Sequence, residues 1–245
     1  MQPITTAVIL AAGLGMRLRD TFSGKPKGLL SIDGVPLVER SIRQLMAHGI
    51  NDIIIVTGYL AEHYEALTAV YPTVRTIHNP FYADSGSMYS LYCAREVLNG
   101  PFLLLESDLL YENRALSALL ATPKSDAILV SGFTQSGDEI YIETKDNFFY
   151  YMSKKRHELQ HVIGELVGIC KISPDLFQKM ITYSETYFQD NFHLHYEEGC
   201  LNQMAQHTPI PICFVSDLLW CEIDNADHLH RAQNLIWPQI QHREQ

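Results

Sequence analysis

Three short stretches of the chain combine residue types able to hold phosphate and a divalent cation. The first is Leu10-Ala11-Ala12-Gly13-Leu14-Gly15-Met16-Arg17, followed by Lys25-Pro26-Lys27. Glycines directly after an apolar run let the backbone approach a ligand closely, and their amide N–H groups can face phosphate oxygens. Arg17, Lys25 and Lys27 add three cations to that turn, in a chain whose 28 acidic and 18 basic side chains leave a formal charge of −10. The second stretch, Glu106-Ser107-Asp108, ends an apolar run; the third is Glu222-Ile223-Asp224. A carboxylate at the C-terminal end of a buried strand lies on the edge where open α/β sheets bind ligands. Asp108 is suited there to Mg²⁺, which prefers hard oxygen ligands, and alternation puts Glu222 and Asp224 on one face. Each aspartate has a plainer alternative, as the cap of a following helix.

The glycine turn excludes two familiar phosphate binders. A dinucleotide fold requires G-x-G-x-x-G, but Leu18 stands at the third glycine. A P-loop requires Gly-Lys-Ser/Thr, a string absent from the chain. A turn that cradles a polyphosphate remains, against an ordinary glycine turn with solvated cations.

The elements that would carry these stretches alternate. Residues 7–10, 52–57, 74–78 and 101–106 read as buried strands; 36–47, 61–70 and 87–98 read as helices between them. That pattern gives βαβ units around a mostly parallel sheet. From 126 to 172 strands follow without long helices, at 127–131, 139–144, 147–152 and 166–172. Thr144-Lys145-Asp146-Asn147 there predicts a hairpin, and so a small antiparallel insertion. Helices resume at 173–187 and 197–206, then strands near 212–215 and 219–223 and a last helix from Asp227. No repeat or linker interrupts the pattern, so a single domain over residues 1–245 is expected.

Composition narrows the function classes. Of 245 residues, 47% are apolar and 19% charged, which excludes disorder as the main state. The acidic balance, with no Lys/Arg run able to supply a phosphate-neutralising surface, argues against a nucleic-acid partner. The five cysteines are odd in number and form no C-x-x-C pair, as in a reducing compartment. Residues 1–6 lack the basic start of a leader, and no apolar stretch approaches the roughly 18 residues of a membrane span. A cytoplasmic enzyme, away from the membrane, is expected.

Leu-Ala-Ala-Gly-x-Gly-x-Arg followed by Lys-Pro-Lys resembles the signature loop of the nucleotidyltransferases that activate sugar phosphates, phosphocholine and related compounds. The resemblance implies a Rossmann-like α/β fold of the nucleotide-diphospho-sugar transferase type. It also implies that Leu10, Ala11, Ala12, Gly13 and Gly15 surround base and ribose, and that Arg17 and Lys27 hold the triphosphate, with Lys25 a weaker candidate. Asp108 and Asp224 match the positions that clamp the Mg²⁺ cofactor in the family, and Asp108 would also touch the nucleotide.

Asn79 to Leu91 is similar to the cytidylyltransferase branch, where Gly86 and Ser87 would contact the cytosine. Residues 103–112, Ser131-Gly132, 138–141, 152–155 and 164–168 together look like the 2-aminoethylphosphonate cytidylyltransferases. The phosphocholine enzymes share the first loop, the Tyr-Ser-Leu step at 89–91 and the Glu-Ile-Asp ending at 222–224. By this resemblance CTP and a small aminoalkyl phosphonate or phosphate are the substrates, and a homodimer is compatible with it. Lys154 joins Arg17 and Lys27 as a catalytic candidate. Asp138, Tyr141, Lys154, Glu165, Glu197 and Glu198 are candidates for the acceptor. Glu197-Glu198 also reads as a solvated first helical turn, and Lys154-Lys155 as a surface turn.

The expected reaction is transfer of CMP from CTP to 2-aminoethylphosphonate; phosphocholine as acceptor and a non-catalytic nucleotide sensor are the alternatives. Both substrates are anionic, and two unit charges 4 Å apart repel by about 4 kcal/mol at an effective dielectric near 20. Lys27, Arg17, Lys154 and a magnesium ion on Asp108 and Asp224 would offset that repulsion.

Overall fold

The computed structural model describes residues 3–15 and 24–245. Arg17 lies outside them. In chain order the elements are β1 (Thr6–Ala11), β2 (Ser31–Ile32), β3 (Val35–Pro36), α1 (Leu37–Ala47), β4 (Asp52–Thr57), α2 (Glu62–Glu65), β5 (Val74–His78) and α3 (Ser87–Cys93). There follow β6 (Phe102–Glu106), β7 (Leu109–Tyr111), α4 (Arg114–Ala121), β8 (Ala127–Ser131), β9 (Tyr141–Lys145), β10 (Phe148–Ser153) and β11 (Val162–Ile172). The chain continues with α5 (Pro174–Tyr187), α6 (Asn202–Ala205), β12 (Ile210–Val215), β13 (Trp220–Glu222), α7 (Ala226–Arg231) and α8 (Trp237–Arg243).

The main sheet runs β5-β4-β1-β6-β11-β8-β12-β10-β9. Its first four strands are parallel, as βαβ connections require. β11 then pairs antiparallel with both β6 and β8, so the α/β sheet is mixed rather than parallel throughout. The antiparallel part begins where the sequence stops supplying crossover helices. Its predicted hairpin joins β9 to β10 through Asp146 and Asn147, both in the left-handed region (φ 53° and 67°), which a two-residue turn between paired strands requires.

Period-two alternation divides the core between the two sheet faces. Val8, Leu10, Ile54, Val56 and Leu104 pack with Met88 and Leu91 of α3 and Leu176 of α5. Ala7, Ile9, Ile53, Ile55, Leu103 and Leu105 pack with Ile42 and Leu45 of α1 and Leu116 of α4. Helix α5 starts as predicted, with Pro174 in its first turn and the Ser173 hydroxyl accepting from the Leu176 amide. The helix expected over 61–70 splits into α2 and a 3-10 turn at Ala66–Ala69, and the one over 87–98 ends at Cys93 with a 3-10 turn at Arg95–Val97.

Two features place the acids. β7 and β13 form a separate antiparallel pair, Glu222 opposite Leu109, which swings the end of β13 onto the end of β6. Beside it β11 bulges between Leu166 and Cys170. Gly168 sits in the bulge at φ 80°, and a Cβ there would come within 3.4 Å of the Glu106 carboxylate. A residue with a side chain would be strained and would press on that acid.

Candidate active site

A cleft of about 270 Å³ opens at the C-terminal ends of β1 and β6. Leu10, Ala11, Ala12, Gly13 and Gly15 form one wall; Ser85, Gly86, Ser87 and Ser90 face them from the start of α3. Lys27, Glu106 and Asp108 form the floor. On the far side of Glu106 a narrower cavity of about 20 Å³ is lined by Asp138, Glu139, Trp220, Glu222 and Asp224 among others.

Lys27 joins the two acidic stretches. Its ammonium donates to Asp108 Oδ2 at 3.3 Å and to Asp224 Oδ1. Burial opposes that charge, but the Asp108 and Asp224 carboxylates outweigh it and hold the ammonium above its ordinary range. Neither aspartate serves as a helix cap. Asp108 precedes β7, and Asn225 caps α7 by accepting from the His228 amide at 2.9 Å.

Further carboxylates crowd the same spot. Glu106, Asp108 and Glu222 bring oxygens within 4.8 Å of one another. Burial, then the neighbouring Glu197 and Asp108 carboxylates, push Glu106 up to about 8. Burial, then Glu106, Asp108 and Asp224, raise Glu222 well above the usual carboxylate range. The buried Tyr196 hydroxyl donates to Glu106 Oε1 at 2.8 Å. These all-oxygen donors suit a hard divalent ion. One ammonium touches both Asp108 and Asp224, while the acids whose oxygens cluster are Glu106, Asp108 and Glu222.

A family description, the MobA-like NTP transferase domain, matches residues 7–207. The chain belongs to this family. Among curated relatives of this MobA-like NTP transferase, the choline-phosphate cytidylyltransferase of Streptococcus pneumoniae is 43% identical over 107 residues, 44% of this chain and 46% of that protein. The 2-aminoethylphosphonate cytidylyltransferase of Lancefieldella rimae is 38% identical over 106 residues, 43% of each chain. The matched stretch therefore spans less than half the length of either relative. The solved inositol-1-phosphate CTP transferase from T. maritima shares the fold, with a TM-score of 0.81 at 19% identity, over 98% of this chain and 97% of that one.

Within the MobA-like domain the sequence candidates separate. The first loop, Gly86, Ser87, Lys27 and Asp108 all line the larger cleft. Lys25 is exposed and does not line it. Asp138 reaches the smaller cavity, and the Lys154 ammonium donates to its Oδ1 at 2.8 Å. Burial opposes the Lys154 charge, yet Asp138, with Glu222 and Asp224 beyond, holds it above the ordinary lysine range. Lys155, by contrast, is a surface residue paired with Glu158.

The acids at 197 and 198 are not a solvated turn. Glu197 lines the larger cleft, away from the smaller cavity, and accepts from the Ser87 hydroxyl at 2.9 Å. Glu198 accepts from the Lys154 amide at 3.0 Å. Both oxygens of Glu165 are taken by the Thr134 amide at 3.0 Å, and the Tyr141 hydroxyl donates to Glu139; neither residue lines the two cavities. Glu106 and Glu222 are the residues the sequence reading left without a role. Their signal was the position of each acid two residues before Asp108 and Asp224, a spacing that served above only to put Glu222 on the face of Asp224.

Gly86 has a packing role besides its place in the cleft. Its amide donates to the Phe192 carbonyl at 2.8 Å, and an added Cβ would lie 2.2 Å from the Leu194 carbonyl oxygen. Gly86→Ala is expected to cost about 1–3 kcal/mol of stability through this backbone collision. Thermal melting checks it, and an unchanged midpoint would refute the assignment.

Proposed function

We propose that this chain transfers CMP from CTP to 2-aminoethylphosphonate in the cytoplasm, releasing pyrophosphate, with Mg²⁺ as cofactor. Leu10 to Gly15 and the start of α3 enclose base and ribose, while Lys27 meets the phosphates. Mg²⁺, held by Asp108 and Asp224, would neutralise charge on the triphosphate. The acceptor's phosphonate oxygen attacks the α-phosphorus in line, and the bond to the β-phosphate oxygen breaks. No general base is required, because a second ionisation near 6, as in phosphate monoesters, leaves the oxygen anionic. The residues then contribute positioning and charge stabilisation.

The observation that favours an aminoalkyl acceptor is the smaller cavity. It shares Glu106 with the nucleotide cleft and carries Asp138, Glu139, Glu222 and Asp224 around a single indole, Trp220. A primary ammonium donates three hydrogen bonds and suits carboxylates, whereas a trimethylammonium has none to give and favours an aromatic cage. The acceptor's phosphonate would meet the Lys154 ammonium that Asp138 now holds.

Pyrophosphate release with 2-aminoethylphosphonate and phosphocholine in parallel tests the reading. Higher kcat/KM with the phosphonate is expected. Turnover of phosphocholine alone would overturn the acceptor, and CTP binding without turnover of either would favour a sensor.

A further inference from the structure

Asn79 is fully buried behind the α3 wall of the nucleotide cleft, and each of its side-chain polar atoms is engaged. Its Oδ1 accepts from the Phe81 amide at 2.9 Å. Because a backbone N–H can only donate, that bond fixes the orientation of the amide group. The Nδ2 group therefore points the other way and donates to Ser85 Oγ and Ser90 Oγ, both at 3.0 Å. Both serines line the cleft.

This wiring sets the polarity of two hydroxyls. Each serine oxygen already accepts from Asn79, and among the described residues neither hydroxyl donates to a protein group. Ser90 is only 5% exposed, so its proton has the cleft as its outlet. A base that offers an acceptor there completes the network. A base that offers an N–H must take a lone pair and leave a buried O–H without a partner, which is costly. Cytosine presents adjacent acceptors at O2 and N3, whereas uracil interposes N3–H between its acceptors O2 and O4, so donors that meet the N3 edge favour cytosine.

We infer that Asn79 is the positioning residue for base selection, holding the Ser85 and Ser90 hydroxyls as donors so that the site takes cytosine over uracil. The inference rests on the proposed CTP reading and adds the device that enforces it. Asn79→Asp is its direct test. The aspartate still accepts from the Phe81 amide, but its second oxygen obliges both serines to donate backward and present lone pairs to the cleft.

Calorimetric titration of the wild type and the variant with CTP and with UTP, each with Mg²⁺, measures the ratio of affinities. The preference for CTP is expected to fall by about ten-fold or more in the variant. A general loss of packing would weaken both nucleotides and leave the ratio in place, and that result would overturn the inference. Should Asn79→Asp not fold, Ser90→Ala removes one donor and must lower the same ratio; an unchanged ratio there overturns it equally. A wild-type protein that binds neither nucleotide would defeat the proposed function itself. CTP binding with an unmoved ratio defeats only the role of Asn79.

Discussion

Asp108→Asn and Asp224→Asn proteins are each expected to transfer CMP about 10³-fold more slowly than the parent, at the upper end of what removing one preorganised electrostatic group costs. The two carboxylates come from strand ends 116 positions apart, yet both reach the Lys27 ammonium. Asparagine keeps the size of each side chain and removes its charge, so folding survives while the shared cation site loses half of its anionic pair. Raising Mg²⁺ should recover part of the rate, because the oxygen ligand remains. Steady-state pyrophosphate release across a Mg²⁺ series measures both effects. An Asp108→Asn protein that turns over as fast as the parent would remove the metal assignment.

Replacing Lys27 by Met is expected to lower both turnover and stability, and to make stability depend on magnesium. The Asp108 and Asp224 side chains are 12% and 4% exposed, and the Lys27 ammonium meets both. Removing one partner of a buried ion pair typically costs about 3–5 kcal/mol. Mg²⁺ can take the place of the lost ammonium. A ligand at 100 times its dissociation constant stabilises by about 2.7 kcal/mol, so the melting midpoint of Lys27→Met should rise on adding Mg²⁺ by more than that of the parent. Transfer should stay low even then if Lys27 meets the phosphates as proposed. Equal magnesium shifts in the two proteins would show that Lys27 does not stand where a divalent ion would bind.

The parallel half of the fold was legible because its strands are buried on both faces and bounded by glycine turns. Residues 52–57 and 74–78 form strands with the bounds their β-branched runs indicated. Leu109 to Tyr111 was not legible. Three consecutive buried residues carry no period, and the plainer alternative for Asp108 was the cap of a following helix rather than the strand that forms. That strand matters, since its pairing with β13 carries Glu222 to the carboxylate cluster. Convergence of Asp108 with Asp224 was implied by the family resemblance, with strand-end placement beside it, whereas the roles of Glu165 and Tyr141 depended on which neighbour claims each side chain. The Thr134 amide that holds Glu165 belongs to a loop whose path no local spacing encodes. Asn79 escaped notice for the same reason, its partners being hydroxyls brought near by the turn at 79–86.

The most direct test is anomalous diffraction from a crystal soaked with Mn²⁺ and CTP. One manganese peak bonded to carboxylate oxygens of both Asp108 and Asp224 and to phosphate oxygens of the nucleotide is the expected result. A nucleotide seated elsewhere, or an ion that meets only one of the two aspartates, would contradict it.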